Sequence, residues 1–218
     1  MTQLSVSELA ARTDLAFWKP MVSPPEFAAV CASARDVRAL VVNTAHLLAA
    51  AHALEESATQ LVAWVGFPLG LNDRDVKRYE TEVAVDLGAQ EIELVLSLEQ
   101  VKNSSSRAVL REIHDVVEAA DERPVCVTFE SAALSPAERL QFIELVADSG
   151  LKAIATGTDF WPDSRVSADD IKALRDALAP KLAIKAVGNI RTLEAARALI
   201  AAGAARIGTT HLKLLEAS

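Results

Sequence analysis

The sequence predicts a single-domain α/β protein with the parallel (β/α)8 barrel, or TIM-barrel, architecture. Short runs rich in β-branched and apolar residues alternate with longer amphipathic runs along the whole 218-residue chain. Eight strand–helix repeats fit a chain of this length if they close into a small barrel. A doubly wound open sheet is the competing architecture, but no GxGxxG motif follows a first strand. No linker divides the chain, so residues 1–218 are expected to form one domain.

Each predicted strand is a short apolar or alternating run. The strands are expected near residues 13–18, 37–43, 60–67, 91–97, 124–130, 153–158, 182–187 and 205–209. Helical patterns are expected near residues 24–35, 44–57, 73–87, 106–121, 136–149, 168–178 and 192–202, followed by a terminal stub at 211–217.

Several helix boundaries carry their own signals. A hydroxyl that caps a helix N-terminus typically stands just before acidic residues of the first turn. Such hydroxyls belong to Ser135, Ser167 and Thr192. A glycine just past a helical pattern supplies the left-handed residue that closes the helix. Gly88, Gly150 and Gly203 stand at such positions.

Composition excludes several classes of function. The net charge is -8, and no cluster of lysine or arginine provides the basic face that nucleic-acid binding needs. The most membrane-like window, 37–54, is interrupted by polar residues, and the first residues do not resemble a secretory signal. Cys31 and Cys126 are too few for a disulfide framework. We therefore expect a cytoplasmic protein with neither a nucleic-acid nor a membrane partner.

The predicted barrel indicates where chemistry belongs, because function in this fold lies at the carboxyl ends of the strands. Lys185 interrupts an apolar strand, and Glu93 shares one face of its strand with Glu91. A buried ion needs a partner, so Glu93 and Lys185 are predicted to pair. Two interpretations stay open: a structural ion pair, or an active-site pair in which apolar walls favour the neutral, nucleophilic amine.

Three segments, in this order, resemble the deoxyribose-phosphate aldolases. They read DLAFWKP, VGFPLGLNDRDVKRYETEVAVDLGAQEIELVLSL and IKAVGNIRTLEAARALIAAGAARIGTT. The resemblance runs from about Asp14 to Thr210. It implies a class I aldolase, which uses a lysine Schiff base and no metal, so no cofactor is expected.

The resemblance also implies roles for individual residues. Lys185 matches the strand-seven lysine, which tunes the Schiff-base lysine and helps to move protons. Glu93 matches the strand-four aspartate and is one methylene longer. Ala155 stands where the family has its Schiff-base lysine on strand six. Lys152 lies at the entrance of that strand and is expected to be a solvated surface lysine.

The turns that bind phosphate in the family are also altered here. Asp159 and Asn189 replace glycines, while Val187 and His211 replace serines. A carboxylate repels a phosphate dianion, and lost glycines restrict close approach of the backbone. Cys126 stands where a lysine is usual, which removes a positive charge from the interior. A substrate that carries a phosphate group is therefore less expected here than in the family.

The predicted site combines two catalytic residues with a set of substrate-binding residues. The catalytic residues are Lys185 and Glu93, and no metal ligands are predicted. The substrate-binding residues are Asp14, Asn43, Glu130, Thr156, Thr158, Gly188, Asn189, Gly208, Thr209 and His211. Asp14 and Glu130 are equally consistent with capping or hydrogen-bonding roles, and Asn43 with a helix cap. The three tryptophans are expected to pack in the core or at the rim.

Two hypotheses of function follow. In the first, the protein is an aldolase-type lyase in which Lys185 condenses with a small aldehyde or ketone while Glu93 moves the proton. In the second, it is a non-catalytic barrel that binds a small ligand or a partner protein. The expected partner is a small carbonyl substrate in the first case and a small ligand or a partner protein in the second. Alanine-rich helical faces would allow a homodimer.

Overall fold

A computed structural model of the protein describes residues 4–103, 106–147, 149–161, 163–178, 180 and 182–216. Eight parallel strands close into one barrel in chain order, with β1 hydrogen-bonded to both β2 and β8. The strands are β1 (Thr13–Ala16), β2 (Ala39–Asn43), β3 (Gln60–Val65), β4 (Glu91–Val95), β5 (Val125–Thr128), β6 (Ala153–Ala155), β7 (Ala183–Val187) and β8 (Arg206–Thr209). The predicted (β/α)8 barrel is confirmed.

Helices surround the barrel and fill the intervals between strands. They are α1 (Val6–Ala10), α2 (Pro24–Ala34), α3 (Thr44–Leu54), α4 (Arg74–Asp86), α5 (Leu98–Lys102), α6 (Ser106–Ala119), α7 (Pro136–Val146), α8 (Ala168–Ala177), α9 (Leu193–Ala201) and α10 (Lys213–Glu216), with a 3-10 turn at Ser131–Ala133. The sequence patterns predicted neither α1 nor α5, because each has only five residues and shows less than two turns of periodicity.

Most predicted boundaries agree with the structure to within about three residues, which is the usual scatter at element ends. One helix was predicted to end at 149, just after residue 148, and another at 217. Residues 148 and 217 both lie outside the described ranges. The strand expected at 153–158 ends at Ala155, because the residues after it turn into the loop that carries Thr156 and Thr158. The strand expected at 13–18 likewise ends at Ala16.

The capping signals work as predicted. The side chains of Ser135, Ser167 and Thr192 each accept a hydrogen bond from a backbone N–H in the first turn of their helices. The three glycines predicted to follow helices all have positive φ angles. The hydrogen bonds to the three capping hydroxyls satisfy N–H groups that have no partner within the helix.

Two cores flank the strands. Outward-pointing residues such as Leu40, Leu94 and Ile184 pack with the helices in the larger core. Inward-pointing residues alternate with them, so the barrel interior is lined by residues two positions apart on each strand. One part of the interior, beside β1–β4, is an apolar cluster in which Val41, Val62 and others pack around Trp64. Among the described residues, no helix is long and apolar enough to cross a membrane.

Candidate functional site

Lys185 lies at the centre of β7, and its amine is enclosed within the barrel. Its Nζ lies 2.5 Å from Glu93 Oε2 and 2.9 Å from Asp14 Oδ2. The side chain is 2% exposed, and its stem runs over Gly208, where an added Cβ would lie 2.8 Å from Lys185 Cε. The predicted Glu93–Lys185 pair is thus present. The amine was expected to project into the barrel mouth. It is instead buried, because Asp14 provides a second carboxylate partner inside the barrel.

Further charged residues extend this pair into an ion cluster. Arg38 Nε lies 2.5 Å from Asp14 Oδ1, and Arg206 Nε lies 3.4 Å from Asp14 Oδ2. Both guanidinium groups also pair with Glu91. The described members of the ion cluster are three cations, Arg38, Lys185 and Arg206, and three carboxylates, Asp14, Glu91 and Glu93. Their formal charges balance, which offsets the cost of burying each ion.

The ion cluster determines the protonation of its central pair. Burial would raise the pKa of Asp14, but Lys185 and the two arginines outweigh burial and hold this pKa well below its usual range. Burial would lower the pKa of Lys185, but Asp14 and Glu93 outweigh it and raise this pKa above its ordinary value. Lys185 is therefore an ammonium ion at neutral pH.

The β5–β6 side of the interior is lined by small side chains. Ala155 is the register partner of Lys185, and Cys126 is the register partner of Glu93. Ala153 and Val187 complete this small cluster. Burial, followed by the nearby Glu93 carboxylate, raises the pKa of the Cys126 thiol to about 12. The thiol is therefore protonated and contributes no charge beside the ion cluster.

Four aromatic rings contact one another near the carboxyl ends of the strands, and we call them the aromatic cap. Trp64 stacks on Phe67 with ring centroids 4.1 Å apart. Phe160 meets Phe67 edge-to-face at 5.7 Å and Trp18 at 5.5 Å. Phe67, Phe160 and Trp18 all follow the carboxyl ends of strands, so they lie on the face where ligands enter this fold. The expected packing role of Trp18 and Trp64 is consistent with these contacts.

Several predicted substrate-binding residues are hydrogen-bonded within the protein. Glu130 accepts bonds from the N–H and hydroxyl of Thr158. The Thr156 hydroxyl donates to the Val187 carbonyl and accepts from the Val187 N–H. Burial raises the pKa of Glu130, although the bonds from Thr158 oppose this shift. These residues join the loops after β5, β6 and β7.

The remaining predicted residues lie at or just after the carboxyl ends of β2, β7 and β8. The Thr209 hydroxyl donates to the Ile190 carbonyl, and the Thr210 hydroxyl contacts the ring of His211. Gly188 has a φ of 139°, and an added Cβ would lie 3.0 Å from the backbone of Arg165, so this turn requires glycine. Asn43 is the N-cap residue just before α3, but its side chain makes no capping bond there.

A cavity of about 310 Å3 opens beside the aromatic cap. It lies between the loops after β1 and β8 and is lined by Ala16, Phe17, Trp18, Lys19, Thr210 and His211. This size is at the lower end for small-molecule sites. Apolar rings and hydrogen-bonding groups line it together, as in sites that bind small organic ligands.

Comparison with known proteins identifies the family. No family model matches the chain. The deoxyribose-phosphate aldolase of Natranaerobius thermophilus is 35% identical over 213 residues, which cover 96% of this chain and 95% of that protein. The chain belongs to the deoxyribose-phosphate aldolase family. Among solved structures, the aldolase QR15 is 29% identical, with a TM-score of 0.88 and coverage of 93% of this chain and 91% of that one.

A further relative with this family name is the tetrameric deoxyribose phosphate aldolase of Aeropyrum pernix. It is 25% identical, with a TM-score of 0.88, and the match covers 97% of this chain and 91% of that one. The predicted membership of the deoxyribose-phosphate aldolase family is therefore confirmed. The roles proposed for Lys185, Glu93 and the substrate-binding residues stay predictions.

Three members of the ion cluster, Glu91, Arg206 and Arg38, were not predicted from the sequence. Glu91 was noted to share a face with Glu93, and the same alternation places Arg206 two residues before the inward-facing Gly208. Applying this alternation to β4 and β8 would have indicated Glu91 and Arg206. Arg38 carried no such signal, because it precedes β2 and reaches its partners through a long side chain.

One exposed group of potential metal ligands lies away from the barrel mouth. His114, Asp115 and Glu118 on α6 have ligand atoms within 4.8 Å of one another. Asp115 and Glu118 already pair with Arg74 and Arg78. Exposed residues on one helix turn commonly approach this closely, so their spacing alone indicates no metal site.

Proposed function

We propose that this member of the deoxyribose-phosphate aldolase family binds a small hydroxyl- or carbonyl-bearing ligand at the barrel mouth without forming a covalent imine at Lys185. This develops the second hypothesis from the sequence. The observation that carries it is the enclosure of the Lys185 amine between the carboxylates of Glu93 and Asp14, at 2.5 and 2.9 Å.

An amine attacks a carbonyl only when its nitrogen lone pair is free, so the ammonium form is inert. The carboxylates beside Lys185 favour that form and raise its pKa. A substrate carbonyl would also have to enter a position that is 2% exposed. Both requirements oppose Schiff-base formation at Lys185, and Ala155 supplies no amine in its place.

The mouth cavity supports a binding role. His211 and Thr210 offer hydrogen-bonding groups to an entering ligand, and Lys19 offers an ammonium. Trp18 offers an aromatic face. A small sugar or aldehyde combines the polar groups and limited size that such a cavity accommodates.

The catalytic hypothesis retains one favourable observation. Glu93 Oε2 lies 2.5 Å from Lys185 Nζ, within the distance needed to accept the proton that the amine must lose. In that case Lys185 itself would condense with a small aldehyde or ketone, as in the first hypothesis from the sequence.

Reductive trapping distinguishes these proposals. The protein is mixed separately with acetaldehyde, deoxyribose and deoxyribose 5-phosphate, treated with borohydride, and analysed by intact and peptide mass spectrometry. We expect no reduced adduct on Lys185. An adduct on Lys185 that is absent from Lys185→Met would overturn the non-covalent proposal and support catalysis.

Binding is tested in parallel by titrating deoxyribose while tryptophan fluorescence is recorded. We expect saturable binding that His211→Ala and Trp18→Phe weaken at least fivefold. His114→Ala is the matched control, because it removes an exposed imidazole on α6 and should leave the affinity unchanged. Binding unaffected by the two cavity variants would exclude this cavity as the site.

A further inference from the structure

A carboxylate of the protein occupies the rim where the loops after β6, β7 and β8 converge. The Asn189 N–H donates to Asp159 Oδ1 at 2.7 Å. The Thr210 hydroxyl donates to Asp159 Oδ2 at 3.4 Å. Each loop thus contributes one group: an anion from the first and hydrogen-bond donors from the other two.

The turn after β7 has the geometry of an anion-binding concavity. Gly188 and Asn189 have φ angles of 139° and 51°, and turns with positive φ angles can present backbone N–H groups to an anion. Arg191 stands beside this turn, donates to Asn189 Oδ1 at 2.7 Å and contacts the ring of His211. Asp159 therefore accepts hydrogen bonds from a backbone N–H and a hydroxyl, beside a turn that also holds the Arg191 guanidinium.

We propose that Asp159 is a specificity-determining residue that fills this rim anion site with its own carboxylate and excludes phosphorylated ligands. The inference rests on the proposed ligand site at the mouth and specifies its ligand class: small molecules without a phosphate group. A phosphate dianion could reach the Asn189 N–H only by displacing Asp159, and it would then lie close to the displaced charge.

The backbone at Asp159 permits a direct test. Its φ of 60° lies in the left-handed region, which glycine adopts freely and asparagine tolerates. Asp159→Gly therefore removes the carboxylate and vacates its space without adding backbone strain. Asp159→Asn removes the charge but keeps the side chain in place.

The experiment titrates inorganic phosphate into the intact protein by isothermal calorimetry at low salt. We expect Asp159→Gly to bind phosphate at least tenfold more tightly than the unmodified protein, with Asp159→Asn between them. Adding Arg191→Met to Asp159→Gly should remove most of the gain. Asp163→Gly, an exposed aspartate-to-glycine change in the same loop, is the matched control and should bind phosphate as the unmodified protein does.

The proposal is overturned if Asp159→Gly and Asp159→Asn both bind phosphate no more tightly than the unmodified protein. It is equally overturned if Asp163→Gly produces the same gain. If Asp159→Gly fails to fold, Asp159→Asn decides alone, with at least a threefold gain expected. Inorganic phosphate has no carbonyl group and does not engage Lys185, so the result is independent of the trapping experiment.

Discussion

Ala155 on β6 and Lys185 on β7 are direct register partners, and both are buried in the barrel interior. Position 155, where the family resemblance implies a Schiff-base lysine, therefore holds a methyl group beside a paired ammonium ion. Small neighbours, Cys126 and Ala153 among them, line the same wall. This relationship indicates which substitution should reintroduce a reactive amine.

Ala155→Lys should introduce an amine that is less readily protonated than Lys185. The carboxylates of the ion cluster are already matched by its cations, so both burial and the adjacent Lys185 ammonium disfavour a second charge and lower the pKa of the new amine. We expect a borohydride-reduced acetaldehyde adduct on residue 155, located by peptide mass spectrometry. The inserted side chain should cost about 1–3 kcal/mol of stability through overpacking.

Ala155→Met controls for this added bulk, since it inserts a long side chain without an amine and should give no adduct. A folded Ala155→Lys protein that traps no aldehyde would show that carbonyl compounds do not reach this wall of the barrel.

Lys185→Met should destabilise the protein by about 3–5 kcal/mol, because it leaves buried carboxylates without their cation. Adding Glu93→Gln to this variant should restore about 1 kcal/mol or more of stability, since the remaining charges balance again. Glutamine can still accept the hydrogen bond from the Thr128 hydroxyl. Urea unfolding of both single variants and the double variant gives this coupling energy.

The matched control is Lys152→Met, which removes an exposed lysine and should change stability by less than about 0.5 kcal/mol. Strictly additive effects of Lys185→Met and Glu93→Gln would contradict a coupled pair.

Stability should fall on the acid side because of Asp14. Its pKa in the folded protein lies below the unfolded value of about 3.9, so its contribution is present above pH ~4 and is lost as pH falls below that value. Asp14→Asn should lower stability at neutral pH. It should also reduce the slope below pH ~4 by up to about 1.4 kcal/mol per pH unit.

Urea unfolding between pH 2 and 7 measures both effects, with the exposed Asp36→Asn as the control. An acid slope identical in Asp14→Asn and the unmodified protein would exclude Asp14 as its source.

Cys126 should resist alkylation in the folded protein. With a pKa of about 12, roughly one thiol in ten thousand is a thiolate at pH 8, and the side chain is fully buried. Iodoacetamide should label Cys126 only when the barrel opens, so its labelling rate should rise with urea. Cys31→Ala isolates the Cys126 signal for mass spectrometry. Labelling in native buffer as fast as in the unfolded protein would contradict a closed interior.

The sequence predicted the barrel and the central ion pair for different physical reasons. Strand and helix periodicities are local, so alternating patterns and capping residues such as Ser135 located most elements. The Glu93–Lys185 pair followed because a buried lysine needs a carboxylate. Short elements such as α5 escaped prediction because a five-residue helix has too little periodicity.

The residues alone were enough to predict the barrel architecture and the family, and they show that position 155 is not a lysine. The folded structure added the contact of Asp14 with Lys185, the mutual contacts of four aromatic rings, and the hydrogen bond from the Asn189 N–H to Asp159. These contacts join residues from distant strands and loops. Barrel closure brings such residues together, and local periodicity carries no information about which side chains then meet.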